Sequence, residues 1–145
     1  MGYIHYWYQN RWTSEDREGY EQALPIFRDI LHYRYPQILC RSFGTGGRPL
    51  VNSRLIQFNG LNGCDDFLFC NSRRASEFCN TGMHHYDLAV CEVLLVLHAH
   101  CLNLDIESDG LCLSNGLLHS LDSRWTEALA NVRKYYPGLN LRGFA

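Results

Sequence analysis

Residues 88–97, Leu-Ala-Val-Cys-Glu-Val-Leu-Leu-Val-Leu, are the longest apolar run of the chain and the heart of its most hydrophobic helix candidate. The run is about half the length of a membrane span, so it is expected inside a protein core rather than a bilayer. With 145 residues, 46% of them hydrophobic and 19% charged, the chain is long enough for one core and too short for two domains of ordinary size. The expectation is a single globular domain over residues 1–145.

Charge narrows the partners. The formal net charge is -2, and the thirteen basic side chains, all arginine except Lys134, are scattered rather than bunched. That gives no electrostatic footprint for nucleic acid. The start, Met1-Gly2-Tyr3-Ile4-His5-Tyr6-Trp7-Tyr8, lacks the basic and apolar regions of a signal peptide, and Tyr6 stands where a myristoylation signal needs Ser or Thr. A soluble, unsecreted, cytoplasmic protein without a membrane partner is expected. The seven cysteines, at 40, 64, 70, 79, 91, 101 and 112, are odd in number and lack a secretory context, so most are expected reduced and buried.

The order of elements follows from periodicity and breakers. Residues 3–9 are aromatic and read as a strand. A helix follows, headed by Ser14 or by Thr13 with Asp16 three residues on; Leu24, Phe27, Ile30 and Leu31 continue at helical spacing past Pro25, and the pattern stops before Tyr35-Pro36. Strands are predicted at 38–43, 55–58 and 67–70, a polar linker at 71–77, the central helix at about 84–102, a strand at 104–107 and a last helix at about 120–136. The order βαβββαβα describes an α+β domain: a mostly antiparallel sheet with two or three helices on one face.

Four constellations carry chemistry. Gly44-Thr45-Gly46-Gly47 has the freedom to cradle an anion beside Arg48, but it lacks the Gly-Lys-Ser/Thr ending of a phosphate loop and reads first as a turn. Asp105 to Gly110 copies the opening of a calcium loop, yet Gly116 stands where the closing glutamate belongs. His84, Cys91 and His98 share a helix stripe, but 84 and 98 are about 21 Å apart along a helix, too far for one zinc ion. No metal and no cofactor is expected. Cys79 lies just upstream of the central helix, where a helix N-terminus lowers a thiol pKa, with His84, His85 and Asp87 nearby and His5 on a neighbouring strand. The competing reading is a buried cysteine beside a helix cap.

At these residues the chain resembles a family of small, largely uncharacterised proteins that open Met-Gly-Tyr-x-His-Tyr-Trp. The matching pieces are residues 1–7, Gly44-Thr45-Gly46, Ile56-Gln57-Phe58-Asn59-Gly60, Asp65-Asp66-Phe67-Leu68-Phe69, Phe78-Cys79-Asn80-Thr81, Tyr86-Asp87-Leu88-Ala89-Val90 and Ser108-Asp109-Gly110, spread over nearly the whole chain. The family pattern has Cys-Lys-Thr and Pro-Tyr-Asp, where this chain has Asn80 for the lysine and His85 for the proline. The matching polar positions are His5, Asn59, Asp65, Cys79, Thr81, Tyr86, Asp87 and Asp109. The resemblance implies that they share a pocket.

The functional expectation is a small enzyme acting on a polar metabolite between the N-terminal strand and the start of the central helix. Cys79 serves as nucleophile or acid, His5 as proton carrier and Asp87 as orienter, while Asn59, Thr81, Tyr86, Asp65, Asp109 and Arg48 hold the ligand. The alternative is a non-catalytic protein that sequesters a nucleotide or other anionic signal, with Arg41, Arg48, Arg73 or Arg74 on the anion. A third is an interaction module whose aromatic first strand pairs edge to edge in a homodimer.

Overall fold

The computed structural model describes residues 2–145, with the backbone alone at Arg74 and Ala75. Strand β1 (Ile4–Gln9) alternates strictly: His5, Trp7 and Gln9 point into the core and Ile4, Tyr6 and Tyr8 lie half-buried on the other face. It is the middle strand of an antiparallel sheet, flanked by β6 (Arg74–Asn80) and β7 (Asp105–Ser108), with His5 opposite both Cys79 and Ser108.

Helix α1 (Ser14–Gln22) is capped by Thr13, which takes the N–H of Asp16 at 3.2 Å and gives its own N–H to the Asp16 carboxylate at 2.9 Å. Pro25 falls in the first turn of a second helix, α2 (Leu24–Arg28), where a missing N–H costs nothing. A π-helical segment (Asp29–Arg34) continues it.

Next, β4 (Leu55–Gly60) pairs with β5 (Phe67–Cys70) along one edge, and with the two-residue strands β3 (Leu50–Val51) and β2 (Leu39–Cys40) at successive positions of its length. The apolar run forms α3 (Asp87–His100), buried from Ala89 through Leu97. Four other segments pack on it: α1, α2, the π-helical segment and α4 (Ser123–Tyr135). A helix apolar all round has to be covered all round, and this one is the axis of the core. No described helix is long and apolar enough to cross a membrane.

The chain is therefore α+β, with antiparallel pairing between all named strands. The strands divide among three small sheets, and the helices gather around α3 rather than forming a layer on one sheet face. Most of the predicted linker at 71–77 is strand β6, and the predicted strand at 38–43 shrinks to two residues. A hairpin of β8 (Leu111–Ser114) and β9 (Leu117–Ser120) takes up a segment with no predicted strand. Its turn is Asn115-Gly116, with φ of 53° and 76°, the left-handed pair that a two-residue hairpin turn requires.

Candidate active site

Alternation along β1 drives His5 inward, and the first turn of α3 brings Asp87 to meet it. Nε2 of His5 lies 2.6 Å from Asp87 Oδ1, and both side chains are fully buried. On the other side of the ring, Nδ1 is 2.8 Å from Ser108 Oγ, at the end of β7. Tyr3 and Trp125 set their rings edge-on to the imidazole at 5.2 and 5.5 Å and fix its plane.

Counting donors assigns the protons. Ser108 Oγ accepts from the indole N–H of Trp125 at 3.0 Å and from the backbone N–H of Gly110 at 3.1 Å, groups that can only donate. Both oxygen lone pairs are thus used, and the hydroxyl hydrogen is left to point at His5 Nδ1. The imidazole then accepts at Nδ1 and donates from Nε2–H to Asp87. A chain runs Ser108 to His5 to Asp87 in a single direction.

Asp87 is a buried carboxylate surrounded by donors. Thr81 Oγ1 gives it a short hydrogen bond, Cys91 approaches it at 3.8 Å, and Arg124 Nε lies 3.5 Å from Oδ2. The arginine is held by the carbonyls of Met83 and His84, at 3.1 and 3.5 Å, so its charge is stationed beside the carboxylate. Burial, then the neighbouring charge of Asp87, push the Cys91 thiol well above its ordinary pKa, and it stays protonated.

His5, Asp87 and Cys91 also form the one group of metal-ligand type among the described residues, with ligand atoms within 4.8 Å of one another. Their hydrogen bonding does not suit an ion. Nε2 carries a proton, and moving that proton to Nδ1 would force Ser108 Oγ to accept a third donor.

Ser108 also lines a cleft of about 760 Å³ between β7 and the β8–β9 hairpin, walled further by Tyr8, His98, Leu111 and Leu118. The cleft is therefore on the β7 side of His5. A close approach fixes the turn that follows Ser108. A side chain at Gly110 would come within 2.0 Å of the Tyr3 hydroxyl and 2.5 Å of Trp125, so the turn after Ser108 can pass only as glycine. The Tyr3 hydroxyl is spent on a short bond to Asp122, which caps α4 by accepting from Trp125 N at 3.1 Å.

The other predicted site residues divide. Cys79 lies in β6, seven residues short of α3, buried, with its thiol turned to the carbonyl of Asp65 at 3.6 Å. Burial raises its pKa, and the Asp65 and Asp87 charges add to the rise, the opposite of helix-terminus activation. Thr81 does join His5 and Asp87.

Asp65, Tyr86 and Asp109 bond to backbone, and Asn59 divides its polar atoms between backbone and the Asp66 carboxylate. Asn59 takes Gly60 N at 2.7 Å and gives to Cys64 O at 3.0 Å; Asp65 accepts from Asn80 N at 3.0 Å; Tyr86 donates to Asp65 O at 2.7 Å; Asp109 accepts from Ile4 N at 2.9 Å. Arg48 is exposed on its loop, and its carbonyl is held by Arg41 at 3.1 Å. Met1 and the Arg74 side chain lie outside the described residues. Ser108, Arg124 and Trp125 had no predicted role. Ser108 stands in the Ser108-Asp109-Gly110 segment of the resemblance.

No protein-family model, curated protein or solved structure matches the chain. Fold and site define it as an α+β protein whose first strand, central helix and seventh strand each give one member of a serine-histidine-aspartate hydrogen-bond chain, buried at His5 and Asp87 and half-buried at Ser108.

Proposed function

We propose that the protein is an enzyme that transfers an acyl group from a small polar substrate, with Ser108 as nucleophile, His5 as proton carrier and Asp87 as orienter. The observation that carries this reading is the unidirectional chain from the hydroxyl of Ser108, a residue that lines the cleft, through His5 to a buried carboxylate. As Ser108 Oγ bonds to the substrate carbonyl carbon, its proton passes to His5 Nδ1 and the carbonyl π pair moves onto the carbonyl oxygen. Return of that pair expels the leaving group, which takes the proton from Nδ1. Water then cleaves the serine ester by the same two steps, and Asp87 holds the positive ring that forms in each.

Trp125 Nε1–H and Gly110 N–H support the developing negative charge on Oγ, because hydrogen bonds to the charged form favour it. The segments that hold His5, Asp87 and Ser108 are three of those in which the chain resembles the proteins opening Met-Gly-Tyr-x-His-Tyr-Trp, and we place it with them on that ground.

A second reading, ligand binding without turnover in the same cleft, is favoured by one fact. Ser108 Oγ has three polar partners in addition to Cβ, so attack requires one of them to let go. A fluorophosphonate probe separates the two. Stoichiometric labelling that maps to Ser108, vanishes in Ser108→Ala and slows by about 10³-fold in His5→Gln supports the enzyme. No labelling of a folded wild-type protein sinks it and leaves the binding reading.

A further inference from the structure

The charge of the cleft has a definite sign. Two carboxylates, Asp105 and Glu107, lie on its wall, on alternate residues of β7, and no arginine or lysine lines it. Among the described residues neither carboxylate has an ion-pair partner; Glu107 accepts only from the Tyr8 hydroxyl, at 3.3 Å. The register sets Tyr8 directly opposite Asp105 and Tyr6 opposite Glu107, so an aromatic ring stands beside the acids.

His98 does not offset them. Burial, with Arg142 nearby, lowers its pKa to about 4, and Arg142 itself is turned to the carbonyls of Ala99 and Cys101. Neutral at pH 7, His98 lines the cleft and adds no positive charge to it; its Nδ1 is buried without a partner. Ile106, Leu111 and Leu118 supply an apolar wall.

We infer that the cleft takes a compound bearing an ammonium or guanidinium group: the cation against Asp105, Glu107 and the Tyr8 ring, and the hydrocarbon on the leucines. This holds whether or not Ser108 is a nucleophile. Phosphorylated and carboxylate ligands meet two uncompensated negative charges there. A cation meets those charges beside an aromatic face, where cation–π attraction adds to them.

The test uses Ser108→Ala, so that binding is read without turnover, and three probes: Nα-acetyl-arginine methyl ester, its uncharged isostere Nα-acetyl-citrulline methyl ester, and Nα-acetyl-glutamate α-methyl ester. Calorimetry or NMR titration at low salt should show the arginine ester about fivefold or more tighter than the citrulline ester, and the glutamate ester weakest. The preference should vanish in the Asp105→Asn, Glu107→Gln double variant built on Ser108→Ala.

Equal binding of arginine and citrulline esters, tighter binding of the glutamate ester, or no saturable binding of the arginine ester up to about 10 mM overturns the assignment. The outcome is independent of serine reactivity. A protein that ignores fluorophosphonate yet keeps the charge preference loses the enzyme and keeps the cationic site.

Discussion

Helix α3 carries two fully buried carboxylates, Asp87 and Glu92, and their surroundings differ in kind. Glu92 is met by a full charge: Arg34 at 2.5 Å, with Tyr35 and with Asn131 at 3.1 Å completing its acceptors. Arg34 stacks on Tyr135 at 4.1 Å, and Tyr136, which it also touches, is anchored on Asp29 at 2.6 Å. Every group there is paired with another, and the cluster ties the π-helical segment to α3 and α4. Asp87 also has an arginine beside it, Arg124 at 3.5 Å, but it is bonded to an imidazole whose second nitrogen leads to the hydroxyl of Ser108. One carboxylate fastens the fold, and the other ends a route for a proton.

The largest expected effect tests the fastening. Glu92→Ala leaves Arg34 without its counter-charge in a mostly buried place, and breaking such a pair costs about 3–5 kcal/mol. Urea unfolding should show that loss, while the labelling rate of Ser108 in the folded fraction stays within about twofold of wild type. A cost below about 1 kcal/mol, or a collapse of labelling in folded protein, would erase the contrast between the two clusters.

Gly110→Ala should come next and should strike the other cluster. The new methyl has to displace Tyr3, Trp125 or Asp122, an overpacking worth about 1–3 kcal/mol, and each of these neighbours belongs to the shell of the Ser108–His5 pair. Stability and labelling should fall together, unlike in Glu92→Ala. If labelling survives unchanged, the packing around Gly110 is not what aligns the serine.

Why one cluster was partly legible in sequence and the other not has a physical explanation. Local signals led to β1, the Thr13–Asp16 cap and α3, because alternation, capping chemistry and apolar length act over a few residues. The same local reading placed Cys79 near a helix N-terminus, although Met83 at φ 59° and the turn around it delay α3 to Asp87 and leave Cys79 in a strand.

Ser108 lies 103 residues from His5, and Glu92 lies 58 from Arg34, so only strand register and helix packing bring those partners together. The β8–β9 hairpin was different. Its turn signal, Asn115-Gly116, is local and stands between two apolar runs, and a separate turn at 109–110 joins β7 to the hairpin. The division into three sheets could not be read from strands as short as β2 and β3, which carry almost no register information of their own.

Acid sharpens the comparison on the cleft side. His98 has an ordinary pKa of 6.5 in the unfolded chain and about 4 in the folded one, so between those values the unfolded state binds the extra proton. The contribution to stability is intact above about pH 6.5, erodes as the pH falls, and levels below about pH 4. Denaturation midpoints against pH should show this slope in wild type and a shallower one in His98→Gln. An unchanged slope in the variant would place the acid sensitivity in other groups.

The smallest expected effect concerns the thiols, and it separates buried chemistry from exposed. Cys79 and Cys91 have pKa values raised by burial and by neighbouring carboxylates, and Cys101 is pushed up to about 12 by burial and Asp16. Cys64 and Cys112 are exposed. Alkylation needs both access and thiolate, and Cys79, Cys91 and Cys101, three of the four buried cysteines, lack both. Brief iodoacetamide treatment of the native protein should mark Cys64 and Cys112 first and leave Cys79, Cys91 and Cys101 unmodified until the chain unfolds. Cys91→Ala should lose only a weak donor to Asp87 and a little packing, about 1 kcal/mol, with fluorophosphonate labelling of Ser108 retained. Early alkylation of Cys79, accompanied by loss of Ser108 labelling, would return the nucleophile to the thiol and reduce the serine chain to a fastening like that of Glu92.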